Sequence, residues 1–114
     1  MQAARLDDTM LALADPTRRA IIARLEAGEA RVTDLAAPFA MSLNSVSKHI
    51  KLLERADLVR RRKVGREHFL SFNPAPLDAA ARWIEEKRAF WSSRLDALEQ
   101  ALLEDDAKQK RKRK

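Results

Sequence analysis

Residues 32–58 read Val32-Thr33-Asp34-Leu35-Ala36-Ala37-Pro38-Phe39-Ala40-Met41-Ser42-Leu43-Asn44-Ser45-Val46-Ser47-Lys48-His49-Ile50-Lys51-Leu52-Leu53-Glu54-Arg55-Ala56-Asp57-Leu58. Val32-Thr33-Asp34-Leu35 opens a short helix, with Thr33 as its cap and Leu35, Ala36 and Phe39 as its apolar positions. Ser42 is a second cap within a few residues and starts another helix, Leu43 to about Ala56. In that helix Val46, Ile50 and Leu53, with Leu43, recur at helical spacing and face inward. The opposite face carries Asn44, Ser45 and Ser47 near its start and Lys48, Lys51 and Arg55 further along. Two helices joined by so tight a turn are the helix-turn-helix pattern.

Upstream, Leu6, Met10, Leu13 and Ala14 mark a first helix that stops at Asp15-Pro16. Asp15 is placed to cap a second helix, with Pro16 in its first position, Ile21, Ile22 and Leu25 inward and Gly28 as terminator. Downstream of Asp57 the period changes. Leu58 to Val64 and Glu67 to Phe72 flank Gly65-Arg66, and His68, Leu70 and Phe72 alternate with Glu67, Phe69 and Ser71, which predicts a β-hairpin. Pro74 and Pro76 end it. From Leu77 to about Leu103 nothing breaks a helix of roughly 40 Å. Leu77, Ile84, Trp91, Leu95, Leu98 and Leu102 form one stripe on it, and Ala80, Trp83, Lys87 and Phe90 a neighbouring one. No internal repeat is present.

The chain has 114 residues, 13.0 kDa and 46% hydrophobic residues, enough for one modest core and too little for a multidomain enzyme. Its two glycines, Gly28 and Gly65, are too far apart for a phosphate-cradling loop, and it has no cysteine for a disulfide, a thiolate metal site or a nucleophile. The N-terminus lacks a signal-type apolar run and no segment is apolar enough to span a membrane, so a soluble cytoplasmic protein with no membrane partner is expected. The net charge of +6 misleads as a total. Residues 108–114 carry six cations, so residues 1–107 sum to zero. Within those, residues 42–67 hold eight basic against three acidic side chains, while residues 68–107 hold four against eight. The expected organisation is one folded domain over residues 1–107 and a disordered basic tail over 108–114.

The implied fold is mainly α with a small β-hairpin, in the order α-α-α-α-β-β-α, a winged helix-turn-helix. Ala14-Asp15-Pro16-Thr17-Arg18-Arg19, Ser47-Lys48-His49-Ile50-Lys51-Leu52-Leu53 and Ala56-Asp57-Leu58-Val59 resemble, in order and spacing, the ArsR/SmtB family of bacterial transcriptional regulators over residues 6–103. That resemblance implies repression of transcription by an obligate homodimer that packs through its first and last helices and binds double-stranded DNA at an inverted-repeat operator. The residues point the same way. A helix entering the major groove offers polar side chains to base edges while cations around it meet phosphates. Asn44, Ser45 and Ser47 are the base-edge candidates, Lys48, Lys51 and Arg55 the phosphate candidates. Ser42 at the helix start and His49 in the shared segment join the DNA-facing set, although packing beside the helix-turn-helix is the plainer role for His49. Arg60, Arg61, Arg62, Lys63 and Arg66 cluster on the hairpin, and since a strand alternates its faces they cannot all point one way; Arg61, Arg62, Lys63 and Arg66 are taken as DNA contacts.

The apolar stripes of the last helix exceed what one small domain can bury, so Trp83, Ile84, Phe90, Trp91, Leu95 and Leu98 are expected in a dimer interface with Leu6, Met10 and Leu11. Metal-sensing members of the family use cysteines where Ala30 and Val32 stand here, or clusters with histidine on the last helix, where this chain has Asp78, Glu85 and Glu86 alone; no metal and no cofactor are expected. His68 lies on a strand with no nucleophile or orienting carboxylate, so no catalytic site is expected. Asp57 stands where the family has glycine and is expected at positive φ. The alternative from another class is a winged-helix protein-interaction module whose basic hairpin docks an acidic partner. The polar face of Asn44, Ser45 and Ser47, without the aromatic anchors of a protein-docking patch, favours DNA.

Overall fold

A computed structural model describes residues 2–112 of the chain. Its elements are α1 (Gln2–Leu13), α2 (Pro16–Glu26), β1 (Ala30–Arg31), α3 (Val32–Ala36), α4 (Leu43–Arg55), β2 (Val59–Val64), β3 (Glu67–Phe72) and α5 (Ala75–Lys112). The chain divides into two units after Ala80.

In the first unit, Asp15 caps α2 by accepting from the backbone N–H of Thr17 (2.8 Å) and Arg18 (3.1 Å), and Pro16 sits at the helix start. Ile21, Ile22 and Leu25 of α2, Leu35 of α3, Val46, Ile50 and Leu53 of α4, and Leu58, Val59 and Leu70 of the sheet form one buried cluster. Leu43 does not join it: at 52% exposure it lies on the outer side of the first turn of α4. Ser42 caps α4 as its spacing predicts, its Oγ accepting from Ser45 N–H at 3.1 Å. Thr33 does not cap α3. The cap lies two residues earlier, at Arg31, which makes no side-chain bond, because Ala30-Arg31 is pulled into a strand.

This strand, β1, pairs antiparallel with β3 (Ala30 with Leu70, Arg31 with Phe69), so the hairpin is part of a three-stranded sheet in the order β1-β3-β2. Two residues are too few for any periodicity to announce. In the hairpin Val64 pairs with Glu67 across Gly65-Arg66. Gly65 has φ 61° and Arg66 does not have positive φ, which is the type II′ arrangement that matches strand twist.

The end of α4 is closed by a Schellman motif. Asp57 N–H donates to the Glu54 carbonyl (2.9 Å) and Leu58 N–H to the Leu53 carbonyl (3.0 Å), with Asp57 at φ 59°. The expected positive φ is therefore present. Asn73 holds the turn to the end of β3: its backbone N–H donates to the Leu58 carbonyl (2.8 Å) and its Nδ2 to the Asp57 carbonyl (2.8 Å).

The second unit lies in α5, which is longer at both ends than the sequence pattern predicts, with 38 residues. It continues through Lys108–Lys112, where a disordered tail was expected. Gln109 donates to Asp105 and Lys110 lies 3.7 Å from Asp106, contacts one helical turn apart that support the helix, and cations suit a helix C-terminus. Arg113 and Lys114, the rest of that expected tail, lie outside the described residues. Among the described residues no helix is long and apolar enough to cross a membrane.

Candidate nucleic-acid interface

The outer face of α4 is built from its capped start. Asn44, Lys48, Lys51 and Arg55 are exposed on it, while Ser45 and Ser47 are half-buried. Ser42 is spent on the cap, accepting from Ser45 N–H and donating to Ser45 Oγ (3.1 Å). Lys48 and Lys51 have no carboxylate within 4.0 Å among the described residues, whereas Arg55 lies 3.4 Å from Asp8 of α1.

His49 points the other way. Its Nδ1 lies 3.1 Å from Arg18 Nη1 and 3.7 Å from Asp15. A guanidinium only donates, so Nδ1 accepts and the ring proton sits on Nε2. Arg18 is 8% exposed; its Nε and Nη2 donate to the Ala12 and Leu11 carbonyls at 2.8 Å each, closing the end of α1. His49 therefore belongs to a brace joining α1, α2 and α4, the plainer of the two roles expected of it. Arg18 is the residue that periodicity misses, since a buried arginine on an amphipathic helix looks like any surface cation. The backbone donors at the start of α2, that of Arg18 foremost, hold the Asp15 carboxyl below the usual carboxylate range.

On the hairpin, strand alternation sorts the cations, and carboxylates claim most of them. Arg61 and Lys63 share the face of the buried Val59, and Arg60 and Arg62 the other. Arg60 chelates Asp57 (3.1 and 3.2 Å), Arg61 pairs with Glu54 (2.7 Å), and Arg62 pairs with Glu29 while lying 5.1 Å over the Phe69 ring. Hydrogen bonds from Arg60 and Arg62 hold the Asp57 and Glu29 carboxyls below their ordinary values. Lys63 and Arg66 are exposed with no such partner among the described residues. The cations open to an outside anion are thus Lys48, Lys51, Lys63 and Arg66. Asp57 and Glu54 lie three and seven residues from Arg60 and Arg61, whereas Glu29 is 33 residues from Arg62, a separation that no local spacing signals.

Between the start of α3, the first turns of α4 and the hairpin lies a cleft of about 350 Å³. Among the described residues no three histidine, aspartate or glutamate side chains gather as a metal site.

Of the expected dimer residues, Leu6 and Met10 are half-buried and Leu11 is exposed on α1. On the second unit Trp83, Ile84 and Phe90 are exposed, and Trp91, Leu95 and Leu98 are 60%, 61% and 55% exposed along one helix face. Lys87 lies 5.8 Å over the Trp83 ring and Arg94 5.0 Å over Phe90, one turn on in each case.

A family model described as a helix-turn-helix domain matches residues 13–62. The HTH-type transcriptional regulator Rv2034 of Mycobacterium tuberculosis is 35% identical over 96 residues, 84% of this chain and 87% of that protein. A solved ArsR family transcriptional regulator is 41% identical, with a TM-score of 0.76, covering 80% of this chain and 94% of that one. The homodimeric winged helix-turn-helix DNA-binding domain Mb0332 of Mycobacterium bovis, a possible ArsR-family transcriptional regulator, is 26% identical, with a TM-score of 0.55 and 82% of each chain covered. A capped recognition helix beside a basic wing, in a chain this similar over most of its length to such regulators, has one family to go with it: the chain belongs to the ArsR family of winged helix-turn-helix transcriptional regulators.

Proposed function

We propose that the chain works as a homodimer that binds an inverted-repeat operator in cytoplasmic DNA and represses transcription by occluding the promoter, without a metal and without catalysis. The observation that carries this is the outer face of α4, where Asn44, Lys48 and Lys51 stand exposed, together with Lys63 and Arg66 free on the wing. Asn44, with Ser45 and Ser47 beside it, reads base edges; the four free cations meet phosphates. Arg55, Arg61 and Arg62 contribute by exchanging a carboxylate for a phosphate. The dimer is supported by the exposed apolar face of α5, by Leu11 on α1, and by the homodimeric M. bovis relative. A gel shift on promoter DNA at increasing salt tests it. A retarded complex of two chains per duplex, weakening steeply with salt, is expected; no complex at low salt overturns it.

A further inference from the structure

Helix α1 stands between the surface offered to a second copy and the helix offered to DNA. It packs on α2 and α4 within the first unit. Its Thr9 and Ala12 are small and buried on the inner side, while Leu11 is half exposed on the outer side. Apolar burial holds such helices together without fixing how one slides or rolls on the other, because it is non-directional. Hydrogen bonds do fix that geometry. Among the described residues two polar ties join α1 to α4. The first, Arg55 to Asp8 at 3.4 Å, lies at the surface, where an ion pair is worth little, and in the proposed complex Arg55 exchanges Asp8 for a phosphate. The second runs through the buried Arg18, whose Nε and Nη2 donate to the Ala12 and Leu11 carbonyls and whose Nη1 donates to His49 Nδ1 at 3.1 Å. A guanidinium is planar, rigid and always charged, so these three bonds set the end of α1 and the middle of α4 in one frame. Leu11 takes part twice: its carbonyl accepts from Arg18, and its side chain faces outward among the residues proposed for the dimer.

A dimer that reads an inverted repeat has to present its two recognition helices at the separation of the two half-sites, about one helical turn of DNA or a multiple of it. That separation is no sharper than the link between each dimer face and its own recognition helix. We propose that Arg18 and His49 are positioning residues: they hold α4 in register on the dimer-facing α1, and thereby set which half-site spacing two copies accept. This role rests on the homodimeric, DNA-binding function proposed above and adds to it the side chains that make it selective for spacing.

The test uses the full chain and a duplex selected from genomic DNA, remade with its half-sites one base pair closer, one base pair further apart, and with one half-site scrambled. His49→Leu removes the acceptor and keeps apolar bulk; His49→Asn keeps an acceptor, Oδ1, near the place of Nδ1. The wild type is expected to lose affinity steeply on either altered spacer. His49→Leu is expected to bind the selected duplex roughly tenfold more weakly, to lose little further on the altered spacers, and to match the wild type on the single half-site. His49→Asn is expected to restore the wild-type pattern, with one salt slope common to all three proteins. Should His49→Leu melt too early to use, Arg18→Lys, which keeps the cation and loses the fork, takes its place with the same expectations. A variant as sensitive to spacing as the wild type overturns the role, as do an equal loss on one half-site and on two, a lowered salt slope, His49→Asn behaving like His49→Leu, or a selected duplex with no second half-site. If the wild type binds no duplex, the function proposed above falls, and amide hydrogen exchange of the free chains decides the link. Faster exchange in His49→Leu at both the last turn of α1 and the middle of α4, restored in His49→Asn, supports it; exchange unchanged from the wild type overturns it.

Discussion

Asp57 occupies a position that glycine fills most comfortably, and the structure shows what keeps an aspartate there. The left-handed backbone at φ 59° costs a non-glycine residue on the order of 1 kcal/mol, and the side chain answers with contacts to Arg60 and Asn73. Those contacts are solvent-exposed and worth less than the backbone strain. Asp57→Gly is thus expected to melt within a few degrees of wild type or slightly above, while Asp57→Ala, which keeps the Cβ and loses the contacts, melts several degrees lower. Thermal denaturation of the pair checks this, and an Asp57→Gly variant melting well below Asp57→Ala would contradict it. Asp15 carries a pH signature. Its folded-state carboxyl is held below 3.8, so its capping advantage is complete above that pH and is lost as pH falls through the depressed value. Asp15→Asn keeps a capping oxygen without the charge. Its stability deficit against wild type, measured by urea unfolding from pH 6 to pH 2, is expected to close below about pH 3.8. Arg18→Met removes three hydrogen bonds from a buried site and is expected to cost about 3 kcal/mol, the heaviest of these changes.

Among the elements, the helices were the most legible. Apolar spacing and the caps at Asp15 and Ser42 place α2 and α4 within a residue or two, and Gly65 places the hairpin turn. Three features had no local signal. The strand at Ala30-Arg31 exists because β3 offers an open edge, and that displaced the start of α3 from Thr33. The extension of α5 is supported by contacts of Gln109 with Asp105 and of Lys110 with Asp106, in a segment expected to be a disordered tail. The neutralisation of Arg61 and Arg62 comes from Glu54 and Glu29, which the fold brings to them. The candidate site was correspondingly half legible: the polar face of α4 was visible, but which wing cations are free was not. This sorting has a measurable consequence. Lys63→Ala and Arg66→Ala are each expected to lower the salt slope of DNA binding by about one, because each removes an unpaired cation. Glu29→Gln, which unties Arg62, is expected to raise affinity for random DNA and steepen its salt slope. Anisotropy titrations from low to high salt read both, and a weaker Glu29→Gln complex would mean that Arg62 needs its tether to reach DNA.

At the scale of the whole molecule, charge and apolar surface are segregated. Within residues 1–107 the positive segment is confined to residues 42–67, while residues 68–107 are net acidic and the exposed Trp91, Leu95 and Leu98 lie on α5. A single chain leaves that apolar face in water, and a second copy is the proposed cover. Trp91→Arg is expected to yield a poorly folded monomer, read by light scattering; an unchanged dimer mass would place the interface elsewhere. The central claim, that α4 reads DNA sequence, is tested most directly by selecting bound fragments from genomic DNA and titrating the recovered duplex beside a scrambled one at physiological salt. The expected result is binding at least about a thousandfold tighter to the selected duplex, with Asn44→Ala losing most of that preference while retaining the nonspecific affinity. Equal affinity for both duplexes would contradict it.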